Sequence, residues 1–263
     1  MEKQIKIGFI GFGNMARAMA DGLLKGGAMA GENMYACAKN RDRLAANTKS
    51  RGMNPCEDAR ETALRSDMVI VAVKPYMVEN VLMPIRDILK DKIVISVAAG
   101  WPFEKYEQLL LPGTHHLSTM PNTPISVCEG ILICEDHHSL SENEMDIFRR
   151  IFSKTALIQM VDASQLSAAG TLAGCGPAFA SMFLEALADG GVKQGLPRDV
   201  AYRLASQMIV GTGKLQLETN AHPGAMKDAV CSPGGTTIVG VAALERRGFR
   251  SAVIDAIDAI ESR

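Results

Sequence analysis

Ile5–Ile10 is a short apolar run, and Gly11-Phe12-Gly13-Asn14-Met15-Ala16 follows it directly. Apolar residues at helical spacing come next (Met15, Met19, Leu23), with a stop at Gly26-Gly27. A strand that turns through glycines into a helix opens a β-α-β layer, so this one feature narrows the chain to α/β architectures. The alternation then continues. Met34–Ala38 reads as a second strand and Arg41–Arg51 as a helix stopped by Gly52. Met68–Val73 and Ile93–Val97 are apolar, β-branched runs of the kind buried on both faces of a parallel sheet. His115–Met120, Gly130–Cys134 and Ala156–Val161 are further strand candidates. A helix is expected near Ser141–Phe152, where Ser141 and Glu144 have capping-box spacing. The expected layer is a parallel, doubly wound sheet with helices on both faces.

Strand signals stop after Val161. Gln165–Thr171, Pro177–Gln194, Pro197–Thr219, Thr236–Arg247 and Arg250–Glu261 all read as helices, with Pro177 and Pro197 where a first turn tolerates them. The expected organisation is therefore a Rossmann-like domain, 1–162, followed by an all-α domain, 163–263. Apolar residues are 47% of the chain and charged residues 22%, which suits a buried core and excludes wholesale disorder. A formal net charge of −1 argues against a general nucleic-acid binder. The charge-free stretch Leu166–Leu184 is interrupted by Gly170, Gly174, Gly176 and Pro177, and it reads as a buried protein helix, not a membrane span. Glu2 and Lys3 precede the first strand with no apolar leader, so no secretory signal is expected. The six cysteines form no CxxC pair and read as reduced thiols of a cytoplasmic protein. His115-His116, His137-His138 and His222 lack ligand spacing, so no metal site is expected.

Gly11 to Ala16 fits G-x-G-x-x-A in the strand–helix context that a dinucleotide needs. Gly11 makes the turn, Gly13 lets the backbone approach a pyrophosphate, and Ala16 allows close helix packing. Asn14 and Met15 open the helix whose free N–H groups would face the phosphates. At the end of the second strand an acidic residue would favour NAD. Here Ala38 is followed by Lys39, Asn40 and Arg41, which suit a 2′-phosphate, so NADP(H) is favoured and NAD(H) remains open beside Asp42. Three later strand ends share the same rim: Ala72-Val73-Lys74-Pro75, Ala98-Ala99-Gly100, and Pro121-Asn122-Thr123-Pro124. Each is as consistent with a structural turn as with a ligand contact, but together they point to a shared crevice.

Ser232-Pro233-Gly234-Gly235-Thr236-Thr237 gives a sharp turn and then a helix start. Backbone N–H groups of Thr236 and Thr237, with the Ser232 and Thr237 hydroxyls, could hold a carboxylate; a plain helix start after a turn would read the same way. Gly174-Cys175-Gly176-Pro177-Ala178 opens another helix with small residues, which close helix packing would equally explain.

Together these residues resemble the pyrroline-5-carboxylate reductases over nearly the whole chain. The marks are Ile7–Ala16, Ala72–Pro75, Ser96–Gly100, Met120–Pro124, Gly174–Phe179 and, most specifically, Lys227–Thr237. The resemblance implies NAD(P)H-dependent reduction of 1-pyrroline-5-carboxylate to L-proline, the last step of proline synthesis. It implies that Ser232, Gly234, Gly235, Thr236 and Thr237 hold the substrate carboxylate, and that the Thr237 hydroxyl faces the ring nitrogen as the catalytic group. It also implies cofactor contacts from Gly11, Gly13, Asn14, Met15, Lys39, Asn40, Arg41, Ala72, Val73, Lys74, Pro75, Ala98, Ala99 and Asn122. A homodimer built by the C-terminal helices follows from it, commonly assembled into decamers, with no nucleic-acid or membrane partner. Two positions depart from the family pattern: Ser118 where Arg is frequent, and Ala59 where Asn is favoured. A β-hydroxyacid dehydrogenase would carry a catalytic Lys on the first long helix of the second domain; Ala178–Leu187 has none, and Lys193 comes only at its end. A non-catalytic NADP sensor would not need both Ser232 and Thr237.

Overall fold

The structure is a computed structural model that describes residues 4–262, so the leader expectation at Glu2 and Lys3 falls outside the described residues. Contacts divide the chain into two compact units, Met1–Gly174 and Cys175–Arg263.

The first unit runs β1 (Ile7–Ile10), α1 (Asn14–Lys25), β2 (Met34–Cys37), α2 (Arg41–Lys49), β3 (Asn54–Pro55), α3 (Ala59–Leu64), β4 (Met68–Val71), α4 (Val78–Leu82), α5 (Arg86–Leu89), β5 (Ile93–Ser96), α6 (Phe103–Leu109), β6 (His115–Pro121), β7 (Gly130–Glu135), α7 (Glu142–Phe152), β8 (Ala156–Val161) and α8 (Leu166–Gly170). The strands form one sheet in the order β3-β2-β1-β4-β5-β6-β7-β8. The order reverses at β1, which pairs in parallel with β2 on one side and β4 on the other. A ligand crevice belongs at such a switch point, beyond the carboxyl ends of the strands. All four residues of β4 are buried, because helices cover both faces. Apolar side chains pack in two layers. Phe9, Met19, Leu23, Phe148 and Phe152 lie in one; Val69, Leu82, Tyr106 and Leu109 lie in the other.

The expectation of a wholly parallel sheet is corrected: β6 and β7 pair antiparallel. Only a short 3-10 turn, Thr123–Val127, joins them, and a parallel crossover needs a dozen or more residues. The following β7-α7-β8 unit is parallel again. Elements α3 to α6 and the two-residue β3 went unread, since each is too short to show a period.

Helix α7 starts as the sequence indicates. Ser141 caps it, and the Glu144 carboxylate accepts from the Ser141 backbone N–H at 2.8 Å. The same carboxylate lies 2.6 Å from His115 Nδ1 and ties α7 to β6. Removing the cap hydroxyl leaves first-turn N–H groups without a partner. Ser141→Ala should therefore lower unfolding stability by about 1 kcal/mol, read as a lower urea midpoint at unchanged slope.

The second unit contains α9 (Gly176–Lys193), α10 (Arg198–Thr219), α11 (Pro223–Ala229), α12 (Thr236–Arg246) and α13 (Phe249–Glu261). Pro177 lies in the first turn of α9, and Pro197 is the cap preceding α10 instead of its first residue. The Phe183 and Phe249 rings, 5.7 Å apart, join α9 to α13. Among the described residues of this unit only Ala188, Ala201 and Ala205 are fully buried apolar side chains. Met182, Leu204, Leu217, Val239 and Ile254 are exposed. So much open apolar surface marks an interaction face.

The stretch read as a buried helix is likewise corrected. It begins with α8 and passes through a π-helical segment, Thr171–Cys175, before α9. The continuous run Ala163–Lys193 is long and apolar enough to cross a membrane by length and composition, and only 17% of its apolar window is buried within the single chain. Thr171 and Ala173 are buried and Gly170 faces the Met120 side chain, while the remaining residues of 166–184 are half-buried or exposed in the single chain.

Candidate active site

Beyond β1 and β2 the structure forms a cleft of about 590 Å³. Gly11 makes its floor. It turns at φ +91°, and a Cβ there would lie 2.7 Å from the Ala72 carbonyl oxygen, so only glycine fits. The Gly11 N–H donates to the Cys37 carbonyl at 3.1 Å, and the Ala72 N–H donates to the Ile10 carbonyl at 2.8 Å. These bonds fix the turn against β2 and β4. Gly13 is different: a Cβ there would meet nothing within 4 Å. The space it leaves opens in front of α1, whose N-terminus has no side-chain cap and no acidic residue in its first turn. Such a cradle, shaped by one missing side chain and facing the N–H groups of an uncapped helix start, can receive a diphosphate.

Gly11, Gly13, Asn14, Lys39, Asn40, Arg41 and Val73 all line this cleft, as does Ala59. Asn40 also caps α2, its side-chain Oδ1 accepting from the Arg43 N–H at 2.8 Å. Asp42 is not among the lining residues. The anionic residues of the wall are already engaged. Glu57 lies 3.8 Å from the Arg41 guanidinium, and Asp58 accepts from the Glu61 N–H at 2.8 Å. Burial pushes the Cys37 thiol above its ordinary pKa, so it stands as an uncharged wall. Arg43, the third cation after β2, also lines the cleft, as do Arg17 and Asn47, which were not read from the sequence. The available signal was spacing: Arg17 lies one helical turn beyond Gly13 and Asn14.

Met15, Ala72, Lys74, Pro75, Ala98, Ala99 and Asn122 are not lining residues of the cleft. Met15 packs against the core. Lys74 and Ala99 are exposed and Ala98 is buried. The Asn122 side chain is engaged with backbone: its N–H donates to the Ala173 carbonyl at 3.1 Å and its oxygen accepts from the Ile131 N–H at 2.8 Å. It braces the end of β6. Trp101, to which the sequence assigned no role, links the exits of β4 and β5. Its indole N–H donates to the Pro75 carbonyl at 2.9 Å. Ser118 donates to the Trp101 carbonyl at 2.9 Å, so the departure from Arg leaves that hydroxyl holding the same loop.

In the second unit, Ser232-Pro233-Gly234-Gly235 turns into α12. Gly234 has φ +68°, and the Gly235 N–H closes the turn on the Ser232 carbonyl at 3.0 Å. No side chain caps α12 and its first turn holds no acid. Ser232, Thr236 and Thr237 are exposed. An uncapped N-terminus flanked by two hydroxyls can receive a carboxylate. Among the described residues no group of three His, Cys, Asp or Glu side chains is placed to hold a metal ion.

A mixed, doubly wound sheet with this glycine cradle at its switch point is the architecture in which dinucleotides are bound. Comparison with known proteins narrows the class. Residues 163–263 match the family described as pyrroline-5-carboxylate reductase dimerisation, and residues 6–100 match that described as NADP oxidoreductase coenzyme F420-dependent. The chain is 43% identical to the pyrroline-5-carboxylate reductase of Treponema pallidum, covering 97% of this chain and 98% of that protein. It is 38% identical to the Escherichia coli K12 enzyme of the same name, covering 98% and 95%. It also superposes on a crystal structure of the Plasmodium falciparum pyrroline carboxylate reductase with NADP bound, at TM-score 0.86 and 30% identity, covering 98% and 95%. The chain belongs to the pyrroline-5-carboxylate reductase family.

Proposed function

We propose that this chain reduces the C=N bond of 1-pyrroline-5-carboxylate to give L-proline, the final step of proline biosynthesis. The reading is carried by one conjunction: a chain of this family has both an open diphosphate cradle at Gly13 and an uncapped, hydroxyl-flanked helix start at Thr236-Thr237. The reduced nicotinamide of NAD(P)H supplies the hydride. Gly11, Gly13 and Asn14 are positioned for the pyrophosphate, and Met15 holds their helix to the core. Lys39, Asn40 and Arg41 take the 2′-phosphate. Ala72, Val73, Lys74, Pro75, Ala98 and Ala99 belong to the nicotinamide side, with Trp101 bonded to the Pro75 carbonyl and Asn122 at the end of β6. Ser232, Gly234, Gly235 and the N–H groups of Thr236 and Thr237 hold the carboxylate. The Thr237 hydroxyl hydrogen-bonds to the ring nitrogen, orients it and relays a proton to it. A cyclic imine is easily protonated, so orientation matters more than a strong acid.

The organisation that goes with this is 1–162 for the coenzyme and 163–263 for dimerisation and substrate. The dimer is supported by the exposed apolar faces of α9, α10 and α12. A decamer and a cytoplasmic location complete the proposal; sedimentation velocity tests the first and fractionation the second.

Steady-state oxidation of NADPH and NADH, with and without 1-pyrroline-5-carboxylate, tests the reaction. Turnover is expected with either coenzyme and only when the imine is present. Binding without oxidation would indicate a sensor. NADPH should have the lower KM, by about tenfold, since even one charge-assisted contact to the 2′-phosphate contributes about 1.5 kcal/mol. Asp42, set off the cleft wall, supports that preference, and a lower KM for NADH would overturn it.

A further inference from the structure

We infer that Arg17 is a coenzyme-positioning residue that clamps the pyrophosphate and does not discriminate between NADPH and NADH. The inference rests on the dinucleotide reading of the cleft and adds a residue that the G-x-G-x-x-A pattern does not contain.

Arg17 stands on the first turn of α1, where side chains lean back toward the helix N-terminus. Its guanidinium follows that lean. Nη2 donates to Asn14 Oδ1 at 2.5 Å and Nε donates to the Gly13 carbonyl at 3.4 Å. Both partners belong to the cradle in front of α1, so the charge is held beside the open space at Gly13. Among the described residues no carboxylate lies within ion-pair distance of Arg17. The acids of the cleft, Glu57 and Asp58, are engaged with Arg41 and with the α3 N-terminus. A cation held by neutral acceptors keeps its charge available to an anion. Its planar fork also keeps N–H donors beyond those two bonds, and phosphate oxygens suit them. Position decides which phosphate. Lys39 and Arg41 follow β2, where the ribose 2′ position is read, whereas Arg17 is bound to the residues that form the diphosphate cradle. It should therefore act on the part that NADPH and NADH share.

The test is direct binding to the full-length protein, with no substrate and no turnover. Dissociation constants for NADPH and NADH are read from coenzyme fluorescence, and those for ADP and AMP from displacement of NADPH. For Arg17→Met, NADPH, NADH and ADP should each bind about tenfold more weakly, as loss of one charge-assisted contact predicts. AMP, which lacks the second phosphate, should change less than about twofold on the same basis. Arg17→Lys should recover most of the loss, since it restores a point charge without the fork. An unchanged melting temperature in both variants separates lost binding from lost folding. A loss confined to NADPH would move Arg17 to the 2′-phosphate and overturn the inference, as would unchanged binding of all four ligands. If the wild-type protein bound neither dinucleotide, the reading of the cleft itself would fall, and this inference with it.

Discussion

Gly13→Val should fold as the wild type does and lose its coenzyme. A Cβ at Gly13 meets nothing within 4 Å, and the residue has φ −82° and ψ −162°, an extended conformation that valine adopts freely. Stability should stay within about 1 kcal/mol, the scale of helix-cap changes. The added side chain instead fills the space that a diphosphate would use, so NADPH affinity should fall by about a hundredfold or more, as expected when a ligand's phosphates are kept from their N–H donors. Gly11→Ala is the control with the opposite structural logic. Its Cβ would lie 2.7 Å from the Ala72 carbonyl oxygen in a backbone at φ +91°. It should cost about 3 kcal/mol of stability as well as binding, from overpacking and backbone strain together. Calorimetry and fluorescence titration on the two variants separate a residue kept for the fold from one kept for the ligand. A Gly13→Val protein that binds NADPH normally would mean that the cradle is not the diphosphate site.

What could be read from the sequence followed the length of the signals. Long elements with clear periods, such as α1, α7 and β8, were legible because one face of each had to be apolar. The capping box at Ser141 was legible because it is a local rule with fixed spacing. The antiparallel β6–β7 pair was not, because a turn as short as Thr123–Val127 looks the same in either direction until pairing is known. The site divided in the same way. Gly11 and Gly13 were legible because backbone geometry limits which residues can stand there. Arg17 was hidden because its spacing from Gly13 and Asn14 places it on their face of the helix but does not say which groups its guanidinium meets. Asn122 sits at the right strand end, yet its amide braces backbone. The exposed Met182, Leu204 and Val239 were hidden for a further reason. Apolar spacing shows that a helix buries a face, but not whether its own chain or another covers it.

Thr237→Ala should lower turnover by about a hundredfold and leave coenzyme binding unchanged. The substitution falls in the first turn of α12, where alanine is a better helix former than threonine and no side chain serves as a cap. Thr237 is exposed, so no cavity forms. The helix start and its N–H groups, the proposed carboxylate site, therefore survive. The KM for 1-pyrroline-5-carboxylate should accordingly rise less than about tenfold, while kcat carries the main loss, because the missing O–H acts where the ring nitrogen receives its proton. Proton-transfer groups of this kind contribute about 10²-fold or more. Thr237→Ser keeps the hydroxyl and should return kcat to within about threefold, whereas Thr237→Val keeps the shape and should not. The NADPH dissociation constant should be the same in all four proteins, since the cleft proposed to hold it is lined by residues of the first unit and does not include this residue. Equal kcat in the valine and serine variants would remove the hydroxyl from the reaction and leave the α12 N-terminus as a carboxylate anchor alone. If kcat instead separates them while KM stays close, the helix start has two functions in adjacent atoms: the amide N–H groups bind, and one side-chain oxygen relays the proton.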